Sequence, residues 1–227
     1  EDLPELDKYM LVKLNEVVEK SLKGYDSYEF STVYHVVNNF CTVELSSFYL
    51  DIAKDTLYIE PANSKARRAI QTVMYESLVA LVKLIAPILP HTADEAWKYI
   101  PHVEEESVQL TDMPEVTAYE NIQELVEKWD KILAVRDDVL KALENARNEK
   151  LIGKSLQAAV ELYPNEETEL LLKEVLNLNK LFIVSQCTIA GNKENAPADA
   201  ETFENLAIVV KKAEGETCER CWVVTPT

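Results

Sequence analysis

The stretch SKARRAIQTVMYESLVALVKLIAPILP, residues 64–90, decides how this chain folds. Within it Ile70, Val73, Met74, Leu78, Leu81, Val82 and Ile85 recur at spacings of three and four, the signature of one apolar helical face. Ser64 supplies a hydroxyl to cap the first turn, and Pro87 and Pro90 end the helix, since proline lacks the amide and clashes with the preceding turn. Toward the N-terminus, Pro61-Ala-Asn-Ser64 reads as a turn. Before it Phe30, Val33, Val37, Phe40, Leu45 and Phe48 mark a second apolar face that runs on to Tyr58, bent around Ser46-Ser47. Asp26 with Glu29 forms a capping box for that helix, and Tyr25 and Phe30 occupy the positions of a hydrophobic staple. Leu6, Met10, Leu14, Val17, Val18 and Leu22 predict a first helix over 5–22, with Gly24 as its stop. Toward the C-terminus, Thr92 with Glu95 is a further capping box opening a short helix through Tyr99, which Pro101 closes. Residues 1–102 therefore read as an antiparallel bundle of about four helices with short connections.

Past the bundle the pattern changes. Residues 103–120 are acidic and irregular and complete a first domain over 1–120 as an extended connector. Ile122, Leu125, Val126, Trp129, Ile132, Leu133, Arg136, Val139, Leu140 and Leu143 then form one stripe of a long helix. After Gly153, residues 156–163 alternate like a strand, residues 166–177 look helical, and 181–184 with 187–189 look like a second strand. Residues 191–205 read as a loop, and 206–210 as a third strand. The expected fold class is mainly α: a helical bundle followed by a small α+β domain over 121–213, with residues 214–227 left as a short cysteine-bearing end.

The chain has 227 residues, 47% of them apolar, enough to bury one substantial core or two smaller ones. It begins at Glu1 and its first methionine is Met10, which reads as a piece of a longer polypeptide or a processed N-terminus. No apolar run approaches the ~20 residues of a membrane span, and no charged-then-apolar leader is present, so a cytoplasmic setting and no membrane partner are expected. Net charge is −17. Residues 1–102 carry 10 basic and 15 acidic side chains, and residues 103–227 carry 13 and 25, for nets of −5 and −12. This surplus argues against a general nucleic-acid binder, because phosphate affinity rests on Lys and Arg. Any RNA contact must come from a local basic patch.

One such patch exists. Lys65, Arg67 and Arg68 lie within four residues at the start of the 64–85 helix, beside its free amides and shortly after Lys54. A solvated helix turn explains the same residues. Tyr58 and Trp97 are of the type that stacks on unpaired bases, and Asn38 and Asn39 carry amides suited to base edges; core packing and an ordinary polar face are the plainer readings. Gly153-Lys154-Ser155 resembles the end of a phosphate loop, but position 148, where the first glycine belongs, is Asn; a turn is the better reading. His35, His91 and His102 show no metal-ligand spacing, and nothing supports a catalytic site. Cys218-Glu-Arg-Cys221-Trp222 is the most chemically pointed motif. Two thiolates two residues apart suit one tetrahedral Zn²⁺, and the other cysteines, Cys41 and Cys187, are remote in sequence. The motif reads as the first half of a zinc ribbon, two ligands short and so expected to be empty, rather than as a redox pair, which would open a helix after a strand.

Several of these stretches together resemble the anticodon-binding region of class I aminoacyl-tRNA synthetases for branched aliphatic amino acids. They are LSSFYLDIAKD at 45–55 with Leu57-Tyr58, RRAIQTV at 67–73, APILPHTADEAW at 86–97 and ARNEKLIGKS at 146–155. The Cys218–Trp222 ending resembles the start of the zinc module of the isoleucyl branch, which the valyl and leucyl branches lack. The resemblance covers essentially the whole chain. It implies a bundle that grips the anticodon stem and loop of an isoleucine tRNA, in a monomeric ligase whose ATP- and Mg-dependent chemistry and editing reside in other domains. It matches around Lys54, Asp55, Arg67 and Arg68 and implies Cys218 and Cys221 as metal ligands; Lys65, Asn38, Asn39, Tyr58 and Trp97, read from their chemistry, complete with Lys54, Arg67 and Arg68 the candidate tRNA contacts. Thr56 stands where some members carry arginine. The competing reading is an acidic helical scaffold for protein partners with no RNA role; a zinc-dependent enzyme is a third.

Overall fold

The computed structural model describes residues 3–119 and 122–225. The chain divides into two compact units, Glu1–Leu125 and Val126–Thr227.

The first unit is helical. Helix α1 spans Glu5–Asp26, α2 Phe30–Asn39, α3 Leu50–Ile59, α4 Lys65–Ile85 and α5 Pro90–Trp97. Ser64 caps α4 as the sequence predicts, accepting the Arg67 amide at 3.4 Å. The other expected caps fail, one through packing against a neighbouring helix and one through a nearby proline. Gly24 does not stop α1: a Cβ there would lie 2.9 Å from Val33 Cγ2, so glycine serves the close approach of α2 and the helix continues to Asp26. Asp26 is therefore helical and caps nothing. The turn falls at Tyr28, held at φ 60°, and the Glu29 amide closes it on the Gly24 carbonyl at 2.7 Å. Tyr25 and Phe30 do meet, their rings 6.0 Å apart. Thr92 lies inside α5, not before it, because Pro90 takes the first helical position, where its missing amide costs nothing.

Between α2 and α3 the helix widens into a π-helical run over Phe40–Tyr49 where the sequence predicts a bend. Ser47 donates its hydroxyl to the Thr42 carbonyl, five residues back, at 2.7 Å. The run turns Phe40, Phe48 and Tyr49 inward, and Tyr49 donates its hydroxyl to the buried carboxylate of Asp7 on α1.

Helices α1 and α4 run the same way, and the Tyr25 hydroxyl donates to the Leu84 carbonyl at 2.5 Å near their C-terminal ends. The buried seam of α4 is Ala69, Ile70, Val73, Ser77, Ala80, Val82 and Leu84. Met74 and Leu78, expected inside, are exposed, and Ser77 and Ala80 take the inward positions beside them. At the far end Val82, Ala86, Ala93, Trp97, Ile100 and Val108 form a secondary core. The connector is more ordered than its composition suggests. It carries a 3₁₀ turn at Val108–Leu110, and Thr117 is held from both sides by Asn15, whose Nδ2 donates to the Thr117 carbonyl (2.9 Å) and whose Oδ1 accepts its amide (2.7 Å).

The second unit contains most of α6 (Gln123–Asn148) and a four-stranded sheet ordered β2-β1-β4-β3, with β1 Ala158–Pro164, β2 Gln186–Ile189, β3 Glu201–Thr202 and β4 Leu206–Lys212. β1 is parallel to β2 and antiparallel to β4. Its alternate residues Ala158, Val160 and Leu162 are buried, as the period of two predicts. Helices α7 (Glu166–Lys173) and α8 (Leu178–Phe182) connect β1 to β2. Leu181 and Phe182, expected in a strand, close α8: Asn177 caps its start, Ile183 turns left-handed at φ 57°, and buried Arg136 donates Nε–H to the Leu181 carbonyl at 3.1 Å. The predicted loop over 191–205 contains the edge strand β3. A hairpin of β5 (Glu216–Thr217) and β6 (Val224–Thr225) ends the described chain.

Candidate nucleic-acid interface

The first turn of α4 is polar because Ser64 and the Pro61 turn leave it uncovered, and its four basic neighbours then diverge. Lys65 and Arg68, one helical turn apart and so on one face, are both exposed and make no ion pair among the described residues. Arg67 points elsewhere. It is half-buried, its Nη1 donates to the Glu60 carbonyl at 3.0 Å, and its Nε has no partner among the described residues. Arg67 thus ties the end of α3 to α4. Lys54 is exposed, but its Nζ lies 2.5 Å from Asp51 Oδ1, and the hydrogen bond and charge of that carboxylate raise its pKa. The local field is therefore set mainly by Lys65 and Arg68, with the free amides at the start of a 21-residue helix beside them.

The aromatic candidates separate as well. Tyr58, on the last turn of α3, is 79% exposed, its ring open to solvent. Trp97 corrects the expectation: it is 4% exposed, its indole N–H donates to the Glu105 carbonyl at 2.8 Å, and Lys83 covers the ring with Nζ 6.0 Å from the centroid. No base can reach it. Thr56 is buried. Asn38 and Asn39 are exposed at the end of α2, and the Asn38 carbonyl accepts the Thr42 hydroxyl at 2.8 Å.

Asn39 also opens on a groove that sequence reasoning missed. About 340 Å³ in volume, it runs between α1 and α2 and is lined by Lys13, Lys20, His35 and Asn39 among others. Lys13 and Lys20 are spaced by seven and so share a face of α1, which was the available signal; both reach Glu16, at 3.6 and 3.4 Å. Tyr28 and Tyr34 are likewise exposed. Nothing in the pattern marks Tyr28, whose outward ring follows from its left-handed backbone.

The cysteine motif forms the tip of the β5–β6 hairpin, with Cys218 N–H donating to the Val223 carbonyl and Trp222 N–H to the Cys218 carbonyl, both at 2.9 Å. The backbone amides of Cys221 and Arg220 and the Cys221 thiol reach the Cys218 sulfur and lower its pKa. No disulfide joins the two cysteines. This is the arrangement a soft divalent ion needs from one turn, two thiol donors of the four that zinc takes. Among the described residues no group of three or more His, Cys, Asp or Glu could hold a metal ion. Burial pushes up the thiols of Cys41 and Cys187, that of Cys187 to about 12. The Gly153 turn is no phosphate loop, since the Gly153 and Lys154 amides both donate to Gln157 Oε1. No described helix is long and apolar enough to cross a membrane.

A helical unit with an open basic turn, followed by a small mixed sheet, defines a recognisable class. Residues 7–162 match the family model of the anticodon-binding domain of tRNA ligase, and the chain belongs to that family. Among individual proteins, it is 64% identical over 222 residues to the isoleucine–tRNA ligase of Halalkalibacterium halodurans, a match covering 98% of this chain and 24% of that protein. Against the isoleucine–tRNA ligases of Bacillus cereus strain AH820 and Bacillus anthracis strain A0248 the identity is 59% over 227 residues, all of this chain and 25% of each relative. The chain spans about a quarter of the length of the curated relatives it matches.

Proposed function

We propose that this chain is the tRNA-binding part of an isoleucine–tRNA ligase, which attaches isoleucine to its tRNA using ATP, and that the chain itself is non-catalytic. The observation that carries the reading is sequence identity of 59–64% across almost the whole chain to proteins named for that activity. The exposed cations Lys65 and Arg68, which make no ion pair among the described residues, give the reading a physical basis within an acidic protein. They meet phosphates of the anticodon stem-loop, while Tyr58, Asn38 and Asn39 lie open to its bases; Arg67 braces the turn from behind. The partner is an isoleucine tRNA, the setting cytoplasmic and the ligase monomeric. ATP and Mg²⁺ act at a nucleotide site belonging to other parts of the ligase. Zn²⁺ in the full-length ligase would be held by Cys218 and Cys221 with two further ligands.

Titration with isoleucine tRNA at low and moderate salt tests this. Binding falls as salt rises, and Lys65→Ala/Arg68→Ala lowers the slope of log K against log salt by about 2, one released counterion for each lost phosphate contact. An unchanged slope removes the α4 turn from the interface. Salt-independent capture of proteins with no tRNA affinity supports the acidic scaffold instead.

A further inference from the structure

The β5–β6 hairpin should not be stable by its own means. Each of its strands is two residues long, and a free two-stranded hairpin is marginal even when longer. Yet the turn between them brings the Cys221 thiol within hydrogen-bonding reach of the Cys218 sulfur. The support comes from the α+β unit at three places. Gln186 Nε2 donates to the Glu214 carbonyl at 2.8 Å, just ahead of the hairpin. Lys154 Nζ stands 4.5 Å from the centroid of the Trp222 ring, inside cation–π range, beside Cys221. Between these, Ser185 is buried and uses both capacities of its hydroxyl: it donates to the Leu156 carbonyl at 2.5 Å and accepts the Val224 amide of β6 at 2.7 Å.

We propose that Ser185 is the positioning residue of the cysteine hairpin, holding Cys218 and Cys221 as a preformed dithiol for a soft, thiophilic ion. Of the three supports it is the buried one, and an unpaired amide there would carry a larger desolvation penalty than a lost contact at exposed Lys154 or half-buried Gln186. The bond to Leu156 orients the hydroxyl so that its lone pairs face the Val224 amide of β6. Val224, itself buried, fills the place beside it. Trp222, at φ 63°, then reverses the chain and returns Cys221 toward Cys218. The inference rests on the proposed reading of the pair as half of a metal site, and is independent of tRNA binding.

The test uses this chain with a monosubstituted trivalent arsenical, R–As=O, as the probe. Two thiols react with it to form two As–S bonds and one water, without oxidation or reduction, and a lone thiol cannot close the ring. The parent takes up one equivalent, and Cys218→Ser none. Ser185→Ala weakens uptake about tenfold, the usual cost of losing the residue behind a ligand, and raises hydrogen exchange at Cys218 and Trp222 while the β1–β4 ladder stays protected. Ser185→Thr, which keeps the hydroxyl, restores both readouts. If Ser185→Ala unfolds the sheet, Val224→Pro removes the same hydrogen bond from the hairpin side and leaves Ser185 on Leu156; it loosens the dithiol equally. Parent-like uptake and exchange in a folded Ser185→Ala or in Val224→Pro overturns the role of Ser185. Failure of the parent to chelate the arsenical overturns the dithiol reading beneath it.

Discussion

The two ends of α4 are built from similar residues and do opposite things. At the first turn Lys65 and Arg68 stand in solvent with nothing packed over them, whereas at the last Lys83 lies across the Trp97 ring above a core of Val82, Ala86, Ala93, Ile100 and Val108. Nineteen residues separate Lys65 from Leu84, roughly 28 Å at 1.5 Å per residue. One helix thus carries an open cationic turn at one end and a packed joint at the other. The contrast repeats on the scale of one residue at Arg67 and Arg68. Identical in chemistry and adjacent in sequence, one is turned onto the Glu60 carbonyl and the other is left open. What covers a turn, and not which residues compose it, assigns the role.

The strongest way to break the contrast is at the packed end. Trp97→Ala removes a buried ring and its bond to Glu105, and costs about 3–5 kcal/mol. Thermal unfolding should show the loss, while tRNA affinity measured well below the melting temperature stays at the parent value. Arg67→Ala comes next, destabilising by about 1 kcal/mol through the lost bond to Glu60. Its effect on the salt slope should be smaller than that of Arg68→Ala, and equal slopes would return Arg67 to the interface.

Smaller still is Asp7→Asn at the base of the bundle. Burial raises the pKa of Asp7, and the Tyr49 hydrogen bond only partly opposes this. The folded state therefore holds the Asp7 proton more tightly than the unfolded chain, and parent stability falls as pH rises from the unfolded value, about 3.9, through the raised folded one. Asparagine does not titrate and keeps an acceptor for Tyr49. The variant should gain on the parent by up to about 1 kcal/mol at neutral pH, with the advantage vanishing near pH 3 in melting scans; a constant difference across pH would remove the buried carboxylate as its source. Least of all, Lys65→Ala/Arg68→Ala should shift stability by under about 0.5 kcal/mol while weakening tRNA binding, the separation expected of residues that touch only a partner.

What could be read from the sequence followed the range of the signal. Ser64, the stripe of α6 and the alternation of β1 are local patterns, and they appear where expected. The failures lie where a distant neighbour decides. The capping signs at Asp26–Glu29 and Thr92–Glu95 were sound chemistry, overridden by the packing of Gly24 against Val33 and by Pro90 opening α5 three residues early. The phase of α4 was misjudged because Ala69, Ser77 and Ala80 form the seam while Met74 and Leu78 face water. At the candidate interface, the basic cluster was visible as composition. Which of its members are free was not, because that depends on Asp51 and the Glu60 carbonyl. Trp97 was misassigned for the same reason: its partner, Glu105, lies in a segment whose composition looked structureless.

The clasp of Asn15 on Thr117 has a consequence of its own. A primary amide offers the chain what another peptide group would, one donor and one acceptor side by side, so it grips main chain and is indifferent to the letter at position 117. Any residue except proline satisfies it, and variation there should be broad in side chain and silent in fold. Hydrolysis of the amide to a carboxylate would keep the bond from the Thr117 N–H and set a negative oxygen against its carbonyl, releasing the strap by the exchange of a single heavy atom.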